Sequence, residues 1–279
     1  METNSKKKPQ VFHGRSNVRS KTYMPGSKFV PKISYKFRDF QNKEFNDYME
    51  DLGVITTEIG GRKNRNLFCI FDGHGGIESA QICADNFPKF FKKFLKENPI
   101  NIEYCFKMTY KKVDEKTQAK NIIESGNTAT TVYIDDNMLY CANVGDSKCV
   151  LVKKESIDKL SYDDKITDEE ELKRIKSEGG QIIDERLGGI LAISRAFGDN
   201  DLKKCGLTST PHFSKRVLTE KDRFCIVASD GVWDVITDEI LLQLSKDAKD
   251  PDSLAKTLID ESVKLGSTDN ISCIVIAFF

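Results

Sequence analysis

Short β-branched and aromatic runs recur along the chain, at 54–59, 67–71, 129–134, 138–143, 148–153, 224–229 and 272–279. Runs of this length and composition read as strands. Helical patterns separate some of them, at 76–87, 101–118, 168–177, 237–246 and 252–264. Pro88 is expected to break the first helix or to start a new one, because a proline inside a helix removes a backbone donor and clashes with the preceding turn. The last helix has Pro251 just before it and Gly266 just after, the usual punctuation. Many strands connect directly to strands, and the helices come in groups. This order predicts an α+β fold with largely antiparallel sheets, not an alternating doubly wound one.

The chain has 279 residues, 39% hydrophobic and 31% charged, enough for a sizeable core in a soluble globular protein. No run of about 18 apolar residues occurs, so no membrane span is predicted. Formal net charge is zero but uneven: residues 1–38 hold ten Lys/Arg against one acid, Glu2, giving +9. The first 30 residues read as a basic, solvated tail, and 31–279 as one domain. Lys6-Lys7-Lys8 is too short a run to imply a nucleic-acid partner. Met1 to Lys6 lacks an apolar signal core, and Glu2 stands where myristoylation needs glycine, so the chain is expected in the cytoplasm, with the nucleus also open to it. None of the eight cysteines forms a CxxC pair, and four lie in apolar runs where they act as small hydrophobes.

The candidate chemistry sits where strands end. Phe68–Phe71 runs into Asp72-Gly73-His74-Gly75-Gly76, Leu139–Val144 into Gly145-Asp146-Ser147, and Phe224–Ala228 into Ser229-Asp230-Gly231-Val232-Trp233-Asp234. Asp269-Asn270 precedes the last strand. One Asp-Gly is ordinary turn chemistry. Four aspartates in the same strand-end context are better compensated by hard cations, and all-oxygen ligation indicates Mg²⁺ or Mn²⁺. Three scattered histidines do not make an HExxH or His₃ zinc site. No GxSxG elbow, P-loop or kinase motif set occurs, and Asp39–Glu50 fails as an EF-hand because Gln41, Lys43 and Glu44 stand at key positions.

Seven motifs in order resemble the PP2C (PPM) family of metal-dependent protein serine/threonine phosphatases: Met49-Glu50-Asp51, Asp72–Gly76, Ser125–Ala129, Ala142–Ser147, Leu191–Asp199, Ser229–Asp234 and Asp269–Ser272. The resemblance spans residues 30–279. It implies a central antiparallel β-sandwich flanked by pairs of helices, phosphoprotein substrates and a monomer. It also implies two bound cations, Mn²⁺ or Mg²⁺, and in some members a third. Carried over residue by residue, Asp72 bridges two metals, with the Gly73 carbonyl on one, while Asp230 and Asp269 complete the other. Glu50 and Asp51 hold metal-bound waters, Asp146, Asp230 and Asp234 resemble the third site, and His74 occupies the general-acid position. The family's route is in-line attack by an activated water, without a covalent intermediate.

Two positions depart from the family pattern. Asn46 stands where an arginine usually grips the substrate phosphate, leaving Lys43 or Arg38 as candidate substitutes. Asp164, in Leu160–Lys165, replaces a histidine. Asn46 also keeps open a reading from a different class, a PP2C-fold pseudophosphatase acting as a scaffold, and the motifs do not exclude small phosphate esters as substrates.

Overall fold

The computed structural model describes residues 29–279. All but the last two positions of the basic tail lie outside the described residues. Two five-stranded sheets form the body. One is ordered β1 (Ile33–Phe40), β15 (Ile271–Phe278), β14 (Asp222–Ala228), β8 (Lys148–Lys153), β9 (Ile157–Lys159). The other runs β13 (His212–Val217), β7 (Met138–Val144), β6 (Ala129–Asp135), β3 (Arg65–Phe71), β2 (Leu52–Thr56). Every pairing within them is antiparallel.

The central strands are apolar on both faces because each sheet is covered twice. Phe68, Ile70, Val132, Cys141, Leu151, Val227, Ile274 and Ile276 fill the space between the sheets. On β3 the alternate set, Leu67, Cys69 and Phe71, turns outward onto helices α1 (Glu78–Glu97) and α2 (Ile102–Ala119), meeting Phe87, Phe91, Phe106 and Tyr110. On β15, Cys273 and Val275 meet Leu241 of α5 (Asp238–Asp247) and Leu254 and Leu258 of α6 (Pro251–Lys264). The expected helix-flanked sandwich results, with alternate side chains of one strand serving two cores.

Helix α1 corrects the expectation at Pro88. It runs unbroken through the proline, which is itself buried. The lost rung and ring clash cost about 3 kcal/mol in an isolated helix. Phe87, Phe91, Phe94 and Leu95, all buried, more than offset this at roughly 1.5–3 kcal/mol per side chain. The run at 54–59 is also shortened: β2 ends at Thr56, and Glu58 turns at φ +52°. A smaller unit spans α3 (Glu169–Ser177), the hairpin β10 (Ile182–Ile183) to β11 (Arg186–Leu187), and the turn Asn200–Cys205, packed around Ile175, Leu187 and Leu202. A three-stranded ribbon orders β12 (Phe197–Gly198), β5 (Gly126–Asn127), β4 (Gly73–His74).

Candidate metal centre and active site

Antiparallel register brings the predicted carboxylates to one end of the sandwich. Leu52 pairs with Phe71, so Asp51 and Asp72 follow each other off neighbouring strands. Ala228 pairs with Cys273, which sets Asp230, the first residue of the single turn α4 (Asp230–Trp233), beside the 267–270 loop. Gly231 packs so closely on Asn270 that an added Cβ would lie 2.1 Å from its carbonyl oxygen. Gly73 is similarly tight, its Cβ position only 2.6 Å from the Glu50 carbonyl oxygen.

The first acidic segment is sewn in place by amides. The Asn270 side chain accepts from Glu50 N at 2.7 Å and donates to the carbonyls of Gln41 and Tyr48 at 2.8 and 3.1 Å. The Glu50 carboxylate accepts from Gly76 N at 2.7 Å. Asp72 Oδ2 accepts from Ser147 Oγ at 3.1 Å, and its carbonyl accepts from Thr128 N at 2.9 Å.

Asp72 lies at the electrostatic centre. Burial, then the charges of Asp51, Asp146 and Asp269, hold its carboxyl well above the usual range. Burial and the neighbouring Asp72, Asp146, Asp269 and Asp234 push Asp230 up to about 9. Asp51 rises to about 7, chiefly from burial, with the Ser229 and Ser272 hydroxyls pulling the other way. Asp146 is raised by burial, with Lys165 opposing. Asp51 Oδ2 is buried with no hydrogen-bond partner. Ionised carboxylates this crowded are costly unless a cation compensates them. The donor set is carboxylate and carbonyl oxygen throughout, which fits a hard divalent cation. His74 is turned aside from this set: its Nε2 lies 2.8 Å from Asp199 Oδ2.

Comparison with known proteins agrees with this arrangement. Residues 35–271 match the family described as Protein phosphatase 2C. The rice "Probable protein phosphatase 2C 52" is 35% identical over 254 residues, covering 88% of this chain and 50% of its own. The yeast "Protein phosphatase 2C homolog 1" is 30% identical over 264 residues, covering 88% of this chain and 94% of its own. The chain belongs to the protein phosphatase 2C family. Its enzyme class is accordingly that of the metal-dependent serine/threonine protein phosphatases. The chain thus spans half of the rice relative and nearly all of the yeast one. Solved structures agree on the fold: a C. elegans sex-determining protein superposes with TM-score 0.78 at 24% identity, covering 88% of this chain and 64% of its own. A Toxoplasma gondii serine-threonine phosphatase 2C gives 0.73 at 21%, covering 91% and 97%.

The two departures from the protein phosphatase 2C pattern have structural answers. Asn46 Nδ2 donates to the Thr268 carbonyl at 2.8 Å, so this amide ties the 41–47 loop to the segment carrying Asp269. Arg38 is committed elsewhere: its Nε and Nη2 bond both oxygens of Asp252, at 2.9 and 3.0 Å, in the first turn of α6. Lys43 is exposed in the turn that follows β1. Asp164, in the histidine position, is fully buried and finds a histidine of its own, His212 Nε2 at 2.8 Å, while accepting from Gly145 N at 2.8 Å.

Among the described residues, the one trio of acidic, His or Cys ligand atoms mutually within 4.8 Å is Asp164, Glu171 and His212, not the predicted set. We assign this trio no metal. Glu171 already accepts from Arg174, Arg195 and Ser194, and these hold its carboxyl down to about 2. Two guanidinium groups neutralise the trio and would repel a cation. The predicted carboxylates are instead spread around Asp72. Sequence reasoning gave Asp199, Ser147 and Asn270 no role of their own, although all three stand inside the quoted motifs.

Proposed function

We propose that the chain hydrolyses phosphoserine and phosphothreonine in proteins, using two divalent cations, Mn²⁺ or Mg²⁺, at the carboxylate cluster. The observation that carries this reading is the crowding of Asp51, Asp146 and Asp230 around a half-buried Asp72. Asp72, the Gly73 carbonyl, Asp230 and Asp269 are the groups that would hold the two ions. Glu50 and Asp51 are suited to orient waters, and Asp146 and Asp234 to complete a weaker third site with Asp230. The cations, when bound, acidify water and neutralise phosphoryl oxygens.

The remaining work falls to side chains. His74, about one-third exposed, can deliver a proton to the departing serine or threonine oxygen, a contribution typically of about 10²–10⁴-fold. Residence in a reducing compartment fits eight free thiols, seven of them buried. Among the described residues no helix is long and apolar enough to cross a membrane.

The test is phosphate release from a phosphothreonine peptide. Release is expected with millimolar Mn²⁺ or Mg²⁺ and none in excess EDTA. Full activity in EDTA sinks the two-metal reading. Metal binding without any turnover favours the second reading, a scaffold, which the commitment of Asn46 to Thr268 supports.

A further inference from the structure

The ribbon β12–β5–β4 joins His74 to a segment, Phe197–Asp199, that the carboxylate cluster does not use. Across it, His74 pairs with Gly126, and Gly126 with Gly198. At the Gly126 position the middle strand thus carries no side chain between its two neighbours. His74 reaches over it from one side and Asp199, next to Gly198, from the other, and their side chains meet at 2.8 Å. The fit leaves no room for more: a Cβ on Gly126 would lie 1.9 Å from Asp199 Oδ2 and 2.4 Å from His74 Nε2.

Asp199 is held as firmly as its partner is placed. Its side chain is 6% exposed. Its backbone sits at φ +44°, a region that costs non-glycine residues energy and that Asp and Asn tolerate better than most. That conformation is locked by Asp199 N donating to the Ser125 carbonyl at 3.0 Å and by Leu202 N donating to the Asp199 carbonyl at 2.8 Å. A carboxylate on one imidazole nitrogen fixes both the tautomer and the ring plane.

We propose that Asp199 is the positioning residue for His74, acting through the Nε2–H bond across Gly126. This deepens the general-acid reading of His74 and rests on it. With Nε2–H committed to Asp199, Nδ1 is the nitrogen that carries the transferable proton. In the step, a water oxygen bonds phosphorus and gives up a proton to solvent as the bond from phosphorus to the leaving serine or threonine oxygen breaks, and that oxygen takes the proton from Nδ1. The Nε2–H stays on Asp199 throughout, and Nδ1 regains its proton from solvent.

The experiment uses the full chain with saturating Mn²⁺ and two substrates: a phosphothreonine peptide, whose leaving alkoxide needs a proton, and p-nitrophenyl phosphate, whose nitrophenolate needs little. Asp199→Asn, which tolerates the same backbone conformation, should lower kcat on the peptide about tenfold or more and fall far less on the nitrophenyl ester. Gly126→Ala, a wedge between the pair, should show the same split. In a His74→Ala background, Asp199→Asn should cost nothing further on the peptide. A thermal melt of each variant identifies losses due to unfolding. If Asp199→Asn slows both substrates equally, or adds fully to His74→Ala, the positioning role is overturned while the acid role stands. If His74→Ala itself slows both substrates equally, the acid reading fails and this inference with it.

Discussion

At the residue scale, the proposed ligand carboxylates and Asn46 make opposite predictions about what a charge is for. Asp72→Asn and Asp230→Asn each remove a charge from the crowded cluster, so turnover should fall by about 10³-fold or more, to background. The same changes relieve repulsion in the metal-free protein, so its Tm in EDTA should hold or rise, by about 2–4 °C per kcal/mol recovered. A melt that collapses instead shows these aspartates acting as structural anchors. Asn46→Arg should raise kcat/KM about tenfold, mainly through KM, because a charge-assisted phosphate contact contributes roughly 1.5–3 kcal/mol. It gives up one amide bond to the Thr268 carbonyl. Arg38→Ala should leave KM unchanged, since that guanidinium is bonded to Asp252, whereas a KM rise in Lys43→Ala identifies Lys43 as the substitute grip. The eight proposed ligand positions stand out as candidates in the sequence because each sits in or beside a motif near a strand end. The partner of His74 was not, because a contact across Gly126 depends on the register of a two-residue ribbon that carries no hydrophobic signal.

Among elements, legibility followed burial. The strands at 129–134, 138–143 and 148–153 were read almost to the residue because both of their faces are covered, so they are continuous apolar runs. Strands β1, β9 and β13 were missed, and all three are sheet edges with mixed polar sequences, such as His212-Phe213-Ser214-Lys215-Arg216-Val217. Pro88 misled because helix propensity is local whereas the aromatic core that carries α1 across it is tertiary. The α3 unit is held to the sandwich end by charge: Arg195 bridges Glu171 to Asp164, and Asp164 holds His212 on β13. Removing one partner leaves a buried charge, so Arg195→Ala should destabilise by about 3–5 kcal/mol. Chemical denaturation followed by tryptophan fluorescence would report it. A loss below 1 kcal/mol would mean that Arg174 alone carries Glu171. The Glu171 carboxyl is depressed to about 2, so the stability it contributes is present above its ordinary 4.5 and is lost as pH falls towards 2.

For the whole molecule, the cluster at the sandwich end sets a pH dependence of the opposite sign. Asp51 and Asp230 titrate from an ordinary 3.8 up to about 7 and about 9 in the folded chain. A group with a raised folded pKa binds its proton more tightly when folded. Its stabilising contribution is therefore full below about pH 4 and is lost as pH rises through the folded value. Metal-free protein should consequently lose Tm between pH 5.5 and 9, the range in which most soluble domains change little. On the proposed two-metal reading, divalent cations take the place of the protons and bind the folded chain alone, so their stabilisation should grow with concentration above Kd. The Tm gain from 5 mM Mg²⁺, roughly zero at pH 5.5 where cations compete with protons, should reach several degrees at pH 8.5. Asp230→Asn should flatten both curves. The measurement is a set of melts in EDTA and in Mg²⁺ across that range. An EDTA curve that rises with pH, or a Mg²⁺ gain that is larger at pH 5.5 than at 8.5, would show that the carboxylates at the strand ends are compensated by protein groups rather than by cations.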